Sequence, residues 1–206
     1  MPEPRPTRRH AGRPNGGAVL VVTAPVLTAI PVLLGRMRRD LERDGRLHAG
    51  TAAWMWTGYA AHAALLTTAL ARRPTSPPLP APARAAALAL TGAGSALLLA
   101  GFRRFAGPAQ LTGTDAGPLV TGGAYRYSRN PQYTGAVAAL TGAAAARRSP
   151  TALALTAALA AVYRAWVPTE ERHLTHHFGA PYRDYHTRTP RWLGRPTVVD
   201  PWPTPA

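Results

Sequence analysis

The stretch PQYTGAVAALTGAAAARRSPTALALTAALAAVY, residues 131–163, carries no charge except Arg147 and Arg148 at its middle. Soluble helices carry a polar stripe opposite their apolar one, and neither half of this stretch has one. Residues 131–146 and the run beginning at Pro150 therefore read as two apolar helices folded back on each other. Pro150 suits the first turn of the returning helix, and the two arginines at the tip can snorkel toward lipid headgroups.

Working outward toward the N-terminus, three further runs lack any charge: 85–102, 47–71 and 17–35. Each approaches the ~20 residues that cross a bilayer at 1.5 Å rise. The expected fold class is all-α, a polytopic transmembrane bundle of about five spans (17–35, 47–71, 85–102, 131–146 and 150–167). The last two form the hairpin, and a cytoplasmic helical segment follows. The pairs Gly92/Ala96, Gly135/Ala139 and Ala138/Gly142 would let helix backbones approach closely in lipid.

The 206 residues are expected to form a single domain over 15–206, after a disordered basic tail at 1–14 and before an irregular tail at 194–206. RRPTSPPLPAPAR (72–84) reads as a proline-stiffened loop without helix. The formal charge is +15, and all 24 basic residues are arginine. That imbalance would suit nucleic acid, but nucleic-acid binding leaves five uncharged runs unexplained and is excluded. The complete absence of lysine reads as a composition bias of bacterial type. No cysteine is present, which excludes disulfides, thiolate metal sites and thiol nucleophiles. His173, His176 and His177 read as a solvated helix face, so no metal is expected. Connector arginines number nine on one side of a five-span bundle and fourteen on the other. The richer side, with residues 36–46, 103–130 and the C-terminal segment, is expected to face the cytoplasm from the inner membrane.

The polar sequence that carries chemistry flanks the hairpin. GPLVTGGAYRYSRNPQYTG (117–135) leads into its first helix, with Asn130 as expected N-cap and Pro131 in the first turn. Arg126 and Arg129, with Tyr125 and Tyr133, surround a helix start able to take a carboxylate or phosphate. Gly123 permits close backbone approach. After the hairpin, Pro168 is expected to kink or end the last helix. Glu170 and Glu171 are an adjacent acidic pair in a chain of nine acids, and look placed to hold a cation. Arg164, at the inner end of a span, is a functional candidate because charge there is costly.

These two segments together resemble a known superfamily. Gly123, Tyr125, Arg126, Tyr127, Arg129, Asn130, Pro131, Tyr133 and Gly135 precede the hairpin. Glu170, Glu171, Leu174, Phe178, Gly179, Tyr182, Tyr185, Pro190 and Arg191 follow it. The pattern is similar to that of the integral membrane methyltransferases of the isoprenylcysteine carboxyl methyltransferase and phospholipid methyltransferase superfamily, over about residues 105–193. The resemblance implies methyl transfer from S-adenosylmethionine to a lipophilic acceptor delivered by membrane lipid, with residues 168–193 as a cofactor-binding segment. The implied cofactor-binding set is Gly123, Tyr125, Arg126, Arg129, Asn130, Pro131, Tyr133, Glu170, Glu171 and Tyr182, and the catalytic candidates are Arg164, Glu171 and Tyr133. Many relatives have histidine where Asn130 stands, and asparagine cannot titrate. Two rival functions are a nicotinamide-dependent sterol-type reductase and a non-enzymatic transporter or scaffold.

Overall fold

The structure, a computed structural model, describes residues 16–72, 74 and 77–197. The expected tail at 1–14 lies outside them, as does the end of the C-terminal tail from 198 onward. Among the described residues there are seven α-helices and no strand. In order they are α1 (Gly16–Asp44), α2 (Ala49–Ala71), α3 (Ala81–Phe102), α4 (Pro108–Thr112), α5 (Pro131–Ala146), α6 (Pro150–Phe178) and α7 (Ala180–Arg188). A short 3-10 turn, Gly123–Arg126, precedes α5.

Each apolar run lies on a helix, and α5 starts and stops where its run does. Among the described residues, α3 and α6 are long and apolar enough to cross a membrane, with mean hydropathies of 1.8 and 1.3. The distribution of polarity fits lipid surroundings. Leu65, Leu88, Leu99 and Leu153 face outward and are about half exposed, while Ser128, Asn130, Gln132 and Thr156 are buried.

The expected hairpin forms, with Ser149 capping α6 by accepting the Ala152 N–H at 3.2 Å. Its tip is tied to a neighbour. Arg147 Nε donates to the Leu70 carbonyl at 2.8 Å and Ser149 Oγ to the Ala69 carbonyl at 3.1 Å. Arg147 and Ser149 thus satisfy two carbonyls that the end of α2 leaves without helical partners, so Arg147 does more than reach for headgroups.

The most extensive packing in the molecule is between α3 and α5, and glycine makes it possible. A methyl on Gly142 would sit 2.6 Å from the Ala87 carbonyl oxygen; one on Gly94 or Gly135 would overlap the Ala139 or Leu98 backbone nitrogen. On α5 the contact uses the expected Gly135, Ala139 and Gly142. On α3 it uses Ala87, Thr91, Gly94 and Leu98, whereas Gly92, the glycine expected there, faces open space.

Three expected boundaries are corrected. Helix α1 runs on to Asp44, so most of the first connector is helical. Helix α3 begins at Ala81 with Pro82 in its first turn, inside the loop expected to resist helix, because proline's missing N–H costs nothing there. Helix α6 passes through Pro168 and ends only at Phe178. Proline removes one backbone bond, and burial of Trp166, Val167 and Glu171 holds the helix on both sides of the gap.

Candidate active site

The segment 127–130 enters α5 as irregular chain, and the C-terminal segment lies along it as a strap. Arg129 N–H donates to the Pro190 carbonyl at 2.9 Å and Gly194 N–H to the Tyr127 carbonyl at 3.0 Å. From α7, Tyr185 Oη donates to the Tyr125 carbonyl at 2.8 Å. Asn130 takes the N-cap position, but its side chain does not cap the helix. Its Nδ2 donates instead to the Arg191 carbonyl at 3.0 Å, while Ser128 Oγ accepts the Asn130 N–H at 3.0 Å. The bond from Nδ2 to the strap's carbonyl turns the amide toward the strap, and its oxygen accepts no N–H from the first turn of α5.

Glu171 fastens this strap to α6. Arg129 donates to its carboxylate at 2.7 and 3.0 Å, and Arg191 at 2.6 and 3.1 Å. The Arg129 and Glu171 side chains are only 8% and 9% exposed. Arg129 Nη1 also donates to the Thr189 carbonyl at 2.5 Å and the His186 carbonyl at 2.9 Å. Burial pushes the Glu171 carboxyl up, but the bonds and charges of Arg191 and Arg129 outweigh it and hold it below the usual carboxylate range. Glu171 is therefore a charged structural clasp, and Arg129 is engaged by it.

Glu170, three residues beyond the apolar stretch 150–167, has the opposite environment. Burial pushes its carboxyl up to about 7; the neighbouring charge of Glu171 adds to this, and a hydrogen bond from Tyr133 opposes it. Tyr133 Oη donates to Glu170 Oε2 at 3.2 Å, and the Tyr133 ring stacks on Tyr163 with centroids 4.3 Å apart. Two adjacent carboxyls thus titrate far apart, one clamped by guanidiniums and the other set among aromatic rings.

Both groups border a cavity of about 490 Å³ between α1, α2, α3, α5, α6, α7 and the 105–125 connector. Of the residues expected from sequence, Tyr125, Arg129, Asn130, Tyr133, Glu170, Glu171 and Tyr182 line it. Gly123, Arg126, Pro131 and Arg164 do not. Arg126 and Arg164 are exposed, and Pro131 is buried in the first turn of α5. Gly123 has φ +63° and is covered by the Arg104 guanidinium, which approaches within 2.8 Å of where a Cβ would lie. His173 and His177 stack with centroids 5.8 Å apart, and no trio of potential metal ligands occurs among the described residues.

Several cavity residues escape sequence reasoning. Tyr163 and Trp166 stand seven and four positions before Glu170, on the same face of α6, and that spacing was a usable signal. Gln132 accepts from Tyr125 Oη at 3.1 Å. Tyr59 and His62 come from α2, which nothing in the 105–193 pattern ties to the site.

Comparison with known proteins agrees with this geometry in where it falls. The family described as phospholipid methyltransferase matches residues 83–181, from the first turn of α3 into α7. No curated protein and no solved structure matches the chain. Over residues 83–181, just under half of its length, the chain is therefore similar to the phospholipid methyltransferase family.

Proposed function

We propose that the protein transfers a methyl group from S-adenosylmethionine to a lipophilic acceptor, within a five-span bundle over residues 15–206 whose site faces the cytoplasm from the inner membrane. The observation that carries this reading is the cavity itself, in which a carboxyl group, an aromatic wall and the start of a helix converge. S-Adenosylmethionine supplies a methyl group already activated on a sulfonium, so the protein must bind, align and exclude water more than move protons.

The residues present suit that cofactor. Glu170 is the carboxylate suited to an ammonium, because Glu171 is neutralised by two arginines. Tyr133, Tyr163 and Trp166 line the cavity with aromatic rings whose electrons suit a sulfonium. The first-turn N–H groups of α5 suit a carboxylate, a role from which Arg129 is withdrawn by its own partners. Tyr125 and Tyr182 border the side where an adenine can pack. The family match gives no support to a nicotinamide-dependent reductase or to a non-enzymatic scaffold.

Incubating membranes that contain the protein with methyl-labelled S-adenosylmethionine tests the activity. Label entering the organic extract, and absent with a Glu170→Gln variant, is the expected result. Equal labelling of the extract by both proteins would refute the assigned site.

A further inference from the structure

His62 lies in the interior of α2 and lines the same cavity, yet its Nε2 atom is buried without a hydrogen-bond partner among the described residues. An imidazole set in an otherwise uncharged, largely apolar helix is costly, and an orphaned ring nitrogen adds to the cost. Such a group in a native fold calls for an explanation.

Its surroundings identify the part of the cavity it serves. Met55, Tyr59, His62 and Leu66 follow one another at three- to four-residue spacing, so a single face of α2 borders the cavity over about 16 Å of helix rise. The chain directions place Met55 near the end with Glu170 and Leu66 at the far end. There Leu66 packs with Ala69, Ala144 and Ala152, with Leu140 against them, and closes the space. His62 is therefore the polar group of a mainly apolar arm that leads away from Glu170. Arg129, the arginine that borders the cavity, is engaged by Glu171 and two carbonyls, so the arm offers no cation to a phosphate.

We propose that this arm receives the methyl acceptor and that His62 hydrogen-bonds an oxygen or nitrogen within the acceptor's inserted portion. The acceptor class is then an uncharged lipophile with a polar atom in its apolar body, and His62 selects it against a plain hydrocarbon chain. This rests on the methyltransferase reading, since an arm for an acceptor presupposes a donor site at the Glu170 end.

The test uses the full-length protein in phosphatidylcholine nanodiscs and a matched pair of probes, dihexyl ether and tridecane, which differ only in one mid-chain oxygen, with binding followed by thermal stabilisation. Wild type should bind dihexyl ether about tenfold more tightly than tridecane, the size of one buried hydrogen bond. His62→Phe should lose that preference, and His62→Gln, which keeps a donor and an acceptor, should retain most of it. S-Adenosylmethionine should stabilise all three proteins equally. Equal responses of wild type to the two probes, or a preference that survives in His62→Phe, would overturn the proposal. Absence of stabilisation of wild type by S-adenosylmethionine would instead count against the donor site, whatever the probes show.

Discussion

Two neighbouring glutamates show how far side-chain surroundings can separate identical groups. Glu171 is ionised by two guanidiniums, whereas Glu170 is pushed up to about 7 by burial. Glu170→Gln removes a carboxylate that the fold disfavours, so thermal stability at pH 7.5 should stay the same or rise. Glu171→Gln leaves the buried Arg129 without its counter-charge, a loss of the order of 3 kcal/mol or more that a melting curve will show. The pH dependence follows from the same pair. Glu171, held low, adds stability that is present above its ordinary pKa and lost as pH falls below about 4.5. Glu170, held high, binds its proton more tightly folded than unfolded, so stability should decline as pH rises from about 4.5 to 7. Melting temperature measured between pH 3 and 8 should therefore peak near the bottom of the second interval. A monotonic rise to pH 8 would mean that Glu170 is not buried as described. Sequence shows the adjacent acids, because carboxylates are so scarce here. It does not show which one is clasped, since Arg129 and Arg191 reach Glu171 from 42 and 20 residues away.

At the scale of the helix, small residues decide how closely α3 and α5 meet. Their interface has no room for a Cβ at Gly94, Gly135 or Gly142, so Gly135→Leu should prevent the two helices from seating. The expected result is a loss of monodisperse protein after detergent extraction. Gly92→Leu should be tolerated, because nothing lies within 4 Å of that position. Sequence gives the apolar extent of each helix but not its rotation about its own axis. Alanine on every side of α3 leaves no polar stripe to mark the buried face, which is why Gly92 rather than Gly94 stood out. The strap depends on similar long-range pairing. Arg191→Gln should loosen residues 188–197 first, seen as faster proteolysis there than in α6, because Arg191 joins the strap to Glu171 by side-chain bonds.

At the level of the molecule, polar groups buried among helices with leucine on their outer surfaces describe a protein that is apolar outward. On the arginine distribution, the proposed topology puts the site end in the cytoplasm. Single cysteines make that testable in a chain that has none of its own. Asp115→Cys should react with an impermeant maleimide only in inverted membranes, and Pro78→Cys only in intact cells; the reverse pattern would invert the topology. The central claim concerns what the cavity holds. It is met most directly by calorimetric titration of S-adenosylmethionine into the detergent-solubilised protein at pH 7.5, beside Glu170→Gln. Saturable binding by wild type, weakened about tenfold or more in a variant that melts no lower, is the result expected for a charge-assisted bond to the ammonium. Failure of wild type to bind, or equal binding by the two proteins, would contradict it.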